Sequence, residues 1–168
     1  MFEQMIAKME DVGGLFKGAP LSDEGYEKLL QDMSSIGVTL PDEYAELLLT
    51  MDGLYWGGLE FFASQIHSDK KRGINITDLL SQNRLFQALN PDKTNWVILG
   101  HYDDESYVYN PSRKKYQIIE EFENTVIKSF RTFEELFNYI ITEQIEIVEN
   151  FVAFDEDTIK DDTTDVDF

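Results

Sequence analysis

LPDEYAELLLTMDGLYWGG, residues 40–58, reads as a short helix with both ends marked, running into an aromatic pair and a glycine corner. Pro41 opens it, because a proline has no N–H to leave unpaired in a first turn. Asp42 and Glu43 follow where the helix dipole favours negative charge. Tyr44, Leu47, Leu48 and Met51 fall at i, i+3, i+4 and i+7, which is one helical face. Gly53 is placed to take the left-handed conformation that ends a helix. Beyond it the pattern changes, and LEFFA (59–63) reads as a short strand after the Gly57-Gly58 break. Tyr55 and Trp56, caught between helix and strand, have two readings: packing in the core, or rigid anchors at a partner's surface.

The helical spacing of Tyr44 to Met51 also occurs upstream, in Phe2/Met5/Ile6/Met9 and in Tyr26/Leu29/Leu30/Met33. The flanks differ, so these are amphipathic helices and not a repeat. Ser22 is placed to cap the second, with Leu21 and Tyr26 as a hydrophobic staple and Gly25 where a capping box would carry Glu. Downstream, SDKKRG (68–73) reads as a polar loop, and ITDLLSQNRLFQAL (76–89) as a helix capped by Thr77 and stopped at Asn90-Pro91. NWVILGHY and SYVYN then flank the acidic turn Asp103-Asp104-Glu105, and KYQIIEEF and TVIKSF extend a run of strands rich in aromatic and β-branched residues. Thr132-Phe133-Glu134-Glu135 matches a capping box, and the stripe Phe133, Leu136, Phe137, Ile140, Ile141, Ile145, Val148 must lie on that sheet. Helices, then a meander of strands, then a closing helix predict an α+β domain. Its sheet should be mostly antiparallel or mixed, packed against N-terminal helices and a long C-terminal helix. The domain is expected over residues 1–151. Residues 152–168 are expected to form an acidic, flexible tail, too poor in apolar groups to offset chain entropy.

Composition narrows the function. The chain has 168 residues, no cysteine, and 33 acidic against 14 basic side chains, a net charge of −19. Ten acids and one lysine lie from Glu143 onward, so nearly half of that charge is C-terminal. Direct nucleic-acid binding is disfavoured, because phosphate attraction needs a cationic surface. A strongly acidic surface serves solubility, and it also favours steered capture of a basic partner. No segment is long and apolar enough to span a bilayer, and the N-terminus lacks the features of a signal or transit peptide. A cytoplasmic protein is therefore expected.

Chemistry is sparse. His67 and His101 are the only histidines. His101 lies near Asp103 and Asp104, but no third ligand stands at usable spacing, so no metal or other cofactor is expected. Ser64 and Ser106 lack a nucleophile-elbow context, and Gly57-Gly58 lacks the Lys and Ser/Thr of a phosphate loop. No catalytic residues are assigned.

Leu40-Pro41-x-x-Tyr44, then Leu47-Leu48, then Asp52-Gly53 together resemble the SUKH superfamily, known from bacterial immunity proteins and a fungal regulator of cell-wall synthesis. The later pieces follow in that family's order: a strand pair from Trp96 to Tyr109 with an acidic turn, Ser129-Phe130, and the TFEELFNYI helix (132–140). The similarity covers roughly residues 20–145. Asn83 in LLSQNRLF matches an Asn of the YrhA-like subgroup, whereas Asp52 departs from the more frequent Asn. The resemblance implies a non-enzymatic immunity protein. It would bind and neutralise a cognate toxin effector domain, a basic nuclease or deaminase, as a monomer or weak homodimer. An intracellular scaffold or regulator on the same fold is the alternative. The expected toxin interface is a corner of Asp52, Tyr55 and Trp56 joined to Asp103, Asp104, Glu105 and Tyr107, with acids rimming aromatic anchors.

Overall fold

In the computed structural model, residues 2–161 are described, with side chains through Phe151. The described residues form five helices: α1 (Glu3–Val12), α2 (Asp23–Ser35), α3 (Asp42–Thr50), α4 (Leu79–Leu89) and α5 (Phe133–Asp161). The strands are β1 (Phe16–Lys17), β2 (Leu54–Trp56), β3 (Leu59–Phe61), β4 (His67–Asp69), β5 (Ile74–Ile76), β6 (Val97–Tyr102), β7 (Glu105–Asn110), β8 (Lys115–Glu120) and β9 (Val126–Phe130). Seven of them make one sheet in the order β1-β2-β3-β6-β7-β8-β9, every neighbouring pair antiparallel. β4 and β5 pair separately as a hairpin. The fold is α+β. No helix among the described residues is long and apolar enough to cross a membrane.

The 40–58 stretch works as its pattern predicts, with two differences. Tyr44, Leu47, Leu48 and Met51 are all buried. Tyr44 carries the larger load: its hydroxyl donates to the carbonyls of Phe62 and Leu99 (3.1 Å to the latter), tying α3 to β6 and to the chain just beyond β3. Burial pushes its phenol far above the ordinary range, so it stays a donor at any working pH. The first difference is that Pro41 precedes the helix as its cap residue, with φ −62°. The second is that the helix ends at Thr50, before Gly53. Gly53 is left-handed (φ 77°), but proximity also demands it: a Cβ there would lie 2.8 Å from both the Ala63 Cβ and the Ile76 Cγ2.

The other caps show how local rules meet tertiary contacts. Ser22 Oγ accepts from Gly25 N–H at 3.1 Å, and Leu21 folds over position 25, its Cδ1 standing 2.6 Å from where a Cβ would lie. Thr132 Oγ1 accepts from Glu135 N–H (3.2 Å), while the Glu135 carboxylate reaches back to Arg131 N–H (3.0 Å) and not to the cap residue's own amide. The expected Thr77 cap is corrected: Asp78 caps α4, accepting from Ser81 N–H at 2.9 Å. Ile74–Ile76 instead pair with His67–Asp69, and the Thr77 amide donates to Glu60, so the helix starts later. The 68–73 loop is likewise the turn of a hairpin. Asp69 Oδ1 accepts from Lys71 and Arg72 N–H, a side-chain-built turn inside too polar a run for strand periodicity to show.

α5 lies on the sheet as its stripe predicts, with Phe133, Leu136, Phe137, Ile140 and Ile141 buried. Phe133 and Phe137 meet Phe2, the cap residue of α1, edge-on at 5.7 and 5.2 Å, and their rings lie 5.7 and 5.5 Å from that of Phe61 in β3. Each fully buried ring of this kind contributes about 1.5–3 kcal/mol relative to exposure. The helix runs on to Asp161, into the stretch read as an acidic tail; residues 162–168 lie outside the described residues.

Candidate functional site

The alternation of β2 decides the position of the aromatic pair. Leu54 and Trp56 point into the core and Tyr55 points to the other face, half-buried, in register with Phe16 and Glu60. Trp56 is 1% exposed, and its indole N–H donates to the Gly13 carbonyl at 2.8 Å, closing the end of α1 onto the sheet. Tyr107 is buried too, its ring stacked on Phe61 at 5.4 Å. Asp52 is enclosed before β2, away from the turn that Trp56 enters. The seven expected residues therefore do not form one corner. Trp56 is a core residue and Asp52 is enclosed beside Ser64 and His67, whereas Tyr107, though buried, lines the same cleft as Asp103, Asp104 and Glu105.

The hairpin acids are different. Tyr102 and Glu105 pair across a two-residue turn in which Asp103 takes φ 53°, a left-handed conformation Asp tolerates better than most residues. Asp103 and Asp104 are exposed and Glu105 is half-buried. Together with Tyr139, Glu143 and Gln144 of α5 they border a cleft of about 220 Å³. Burial raises the Glu105 carboxyl above its ordinary range, and Asp104, Asp103 and Glu143 raise it further by repulsion. On the far side, Glu105 pairs with Glu120, and the Glu121 amide donates to the Asp104 carbonyl at 2.8 Å. The sheet end thus carries Asp103, Asp104, Glu105, Glu120, Glu121, Glu123 and Glu143. The physical consequence is a concentrated negative field that a cationic surface would relieve.

Two histidine–carboxylate pairs lie elsewhere. Asp52 takes Ser64 N–H and Oγ (both 2.7 Å) and His67 Nε2 (2.8 Å). The serine hydroxyl is bonded to the carboxylate and not to the imidazole, so the trio lacks the nucleophile-to-base contact of a hydrolase triad. It pins the β4–β5 hairpin to the core. Glu60, also buried, meets His101 Nε2 at 3.0 Å and accepts from the Thr77 amide. His101 therefore turns across the sheet to Glu60, and among the described residues no three His, Cys, Asp or Glu side chains are grouped to hold a metal ion.

This second pair makes a pH prediction. Burial pushes Glu60 up, but the hydrogen bonds from His101 and Thr77 outweigh it and hold the carboxyl below its ordinary 4.5. His101 is raised above 6.5, chiefly by its bond to Glu60. The histidine's contribution is complete below 6.5 and is lost as pH rises through its folded-state value; the carboxylate's is complete above 4.5 and is lost as pH falls through its own. The pair should stabilise most between those two values. His101→Gln should cost about 1 kcal/mol in that window and less outside it, a modest figure because the imidazole is 42% exposed and screened. Urea melts of both proteins across pH check it; a penalty independent of pH would refute the ion pair.

A model of the SMI1 / KNR4 family (SUKH-1) matches residues 22–139, more than half of the chain. The chain belongs to this family. The SUKH-1 match takes in α2 to the first turns of α5, including the Leu-Pro-x-x-Tyr helix, whose tyrosine ties α3 to the sheet. No curated protein matches the chain. SUKH proteins are known as immunity proteins and related cell-wall regulators. Within this SUKH-1 domain, sequence reasoning found the hairpin acids because acids in a short turn between strands have an unambiguous place. It missed Phe122, a lone aromatic in the acidic β8–β9 turn that is 83% exposed. The KYQIIEEF pattern placed Phe122 at the end of a strand, whereas β8 stops at Glu120 and leaves the ring in the turn.

Proposed function

We propose that this protein is an immunity-type binding protein that captures a basic toxin domain in the cytoplasm and blocks it by occupancy, without catalysis. The observation that carries this is the sheet end of seven acids, in a chain of net charge −19 whose family is known for immunity proteins. A basic nuclease or deaminase would present the cationic surface that such a field steers and holds. A tight 1:1 complex with a toxin domain encoded in the adjacent reading frame is expected, and co-expression should rescue growth. If the neighbouring domain is neither bound nor neutralised, the proposal is wrong. Deleting residues 152–168 should leave neutralisation intact, whereas a scaffold that recruits partners through that segment would lose them.

The acids should act on the rate of encounter. Asp104→Lys combined with Asp103→Asn, which keeps a residue tolerant of the left-handed turn, should slow association about tenfold at low salt. The difference should shrink toward nothing near 1 M salt, where screening reaches only ~3 Å. Stopped-flow traces at several ionic strengths measure it, and an association rate unchanged by either variable would show that these acids do not steer.

A further inference from the structure

The strongest unexplained surface is apolar and lies beside the acidic end. Leu85 and Leu89 of α4 are 54% and 71% exposed, Phe122 is 83% exposed, and Val126 at the start of β9 is 43% exposed. Leu85 and Leu89 share a cleft with Glu121 and Asn124, the residues that flank Phe122 in its turn. That cleft, between α4 and the β8–β9 turn, is lined also by Ser106, and Asn124 Nδ2 donates to Asn90 Oδ1 at the end of α4. Ser106 pairs with Ile119 and Ile119 with Val126, so Val126 continues the same face to the sheet edge.

Phe122 is exposed yet held. The Glu120 carboxylate accepts from the Phe122 and Glu123 amides at 3.1 and 2.7 Å, and Asn124, at φ 55°, donates its N–H to the Glu120 carbonyl. A turn ordered in this way presents its ring without the entropy a mobile loop would lose on binding. The cleft holds about 80 Å³, far below the roughly 300–1,000 Å³ of small-molecule pockets, so it suits a side chain and not a free ligand. Leu85 and Leu89 stand one helical turn apart, the ridge spacing into which a second helix interdigitates. Glu120, Glu121 and Glu123 border the patch, with the Asp103–Asp104 turn joined to it through the Glu121 amide. Arg84, the one cation on α4, is not among the cleft residues, and Lys93 just beyond is paired with Asp92 at 2.8 Å.

We infer that the α4 ridge and the Phe122 turn form the docking surface for a basic amphipathic helix of the partner, its apolar side chains on Leu85, Leu89 and Phe122 and its Lys or Arg side chains on the flanking acids. This rests on the immunity reading only for the partner's basic character. The test uses a synthetic helical peptide of Leu and Lys, roughly 15 residues long so that it holds a helix, with Leu at i, i+3, i+4 and i+7. Its Glu/Leu twin and an oligolysine without Leu serve as controls.

Titrating the full-length protein, the Leu/Lys peptide should shift the amide resonances of Leu85, Leu89 and Phe122, and both controls should leave them unmoved. Phe122→Ser with Leu89→Ser, both at exposed positions, should weaken binding at least about tenfold while the thermal melt stays in place. Shifts confined elsewhere, equal shifts with oligolysine, or the same residues shifting as the protein alone is concentrated would overturn the inference, the last by making the patch a self-association face. The two proposals fail separately. A toxin complex insensitive to Phe122→Ser and Leu89→Ser removes this surface and leaves the immunity function, whereas a peptide that docks while no toxin is bound does the reverse.

Discussion

Trp56→Ala should lower the unfolding free energy by about 3–5 kcal/mol, the range for truncating a large buried aromatic. That is a large share of the roughly 5–15 kcal/mol that a single domain has in total. The ring is fully enclosed, and its N–H is the link from β2 to the Gly13 carbonyl at the end of α1. Two effects therefore combine, a cavity beside the sheet and an unpaired carbonyl. Trp56→Phe separates them: most of the volume stays while the bond to Gly13 goes, for a loss of about 1 kcal/mol. Chemical denaturation of the three proteins measures both steps. A Trp56→Ala protein as stable as the parent, with weakened partner binding, would return this residue to the interface.

The second large effect is expected at Asn83. This side chain is fully buried and makes three hydrogen bonds: Nδ2 donates to the carbonyls of Leu79 (2.9 Å) and Ile98 (3.0 Å), and Oδ1 accepts from Ile98 N–H (2.9 Å). The amide thus completes both backbone groups of Ile98, next to the irregularity in β6–β7 pairing between Ile98 and Gly100. Gly100 is required at that irregularity, since a Cβ there would lie 2.3 Å from the Glu60 carbonyl oxygen. With no strand to satisfy Ile98 on that side, Asn83 acts as a one-residue substitute for one. Asn83→Ala leaves a buried N–H and a buried carbonyl short of partners and should cost about 2–4 kcal/mol. Asn83→Asp keeps the shape and the acceptor but loses the donors, and its buried carboxylate faces two carbonyls.

That second variant carries its own signature. Burial would raise the new carboxyl's pKa, so its protonated form, which donates, is favoured at low pH. A raised folded-state value means the penalty is smallest in acid and grows as pH rises through it. Relative to the parent, Asn83→Asp should recover stability on acidification while Asn83→Ala should not. Equal, pH-independent losses in the two would mean that packing and not hydrogen bonding is the role of this residue.

These residues mark the boundary between what could be read from the chain and what could not. Residues 40–58 specified a helix, its apolar face and the change to strand, because those depend on neighbours within one or two turns. The acidic turn 103–105, the stripe of α5 and the Ser22 and Thr132 caps were legible for the same reason, and their order with the Leu-Pro-x-x-Tyr helix placed the family. The face that Trp56 and Tyr107 occupy was not legible. An aromatic in a three-residue strand between a helix and a glycine turn has no local rule for which side is inside; the neighbouring strands and α5 decide it. Nor could spacing show that His67 belongs to Asp52, His101 to Glu60, or Asn83 to Ile98, since each pairing is made when distant segments pack. The exposed acids were visible in sequence because exposure leaves the local pattern undisturbed. Phe122 became meaningful only when folding put Leu85 and Leu89 beside the same turn, for an apolar patch is a property of assembled surfaces and not of any one segment.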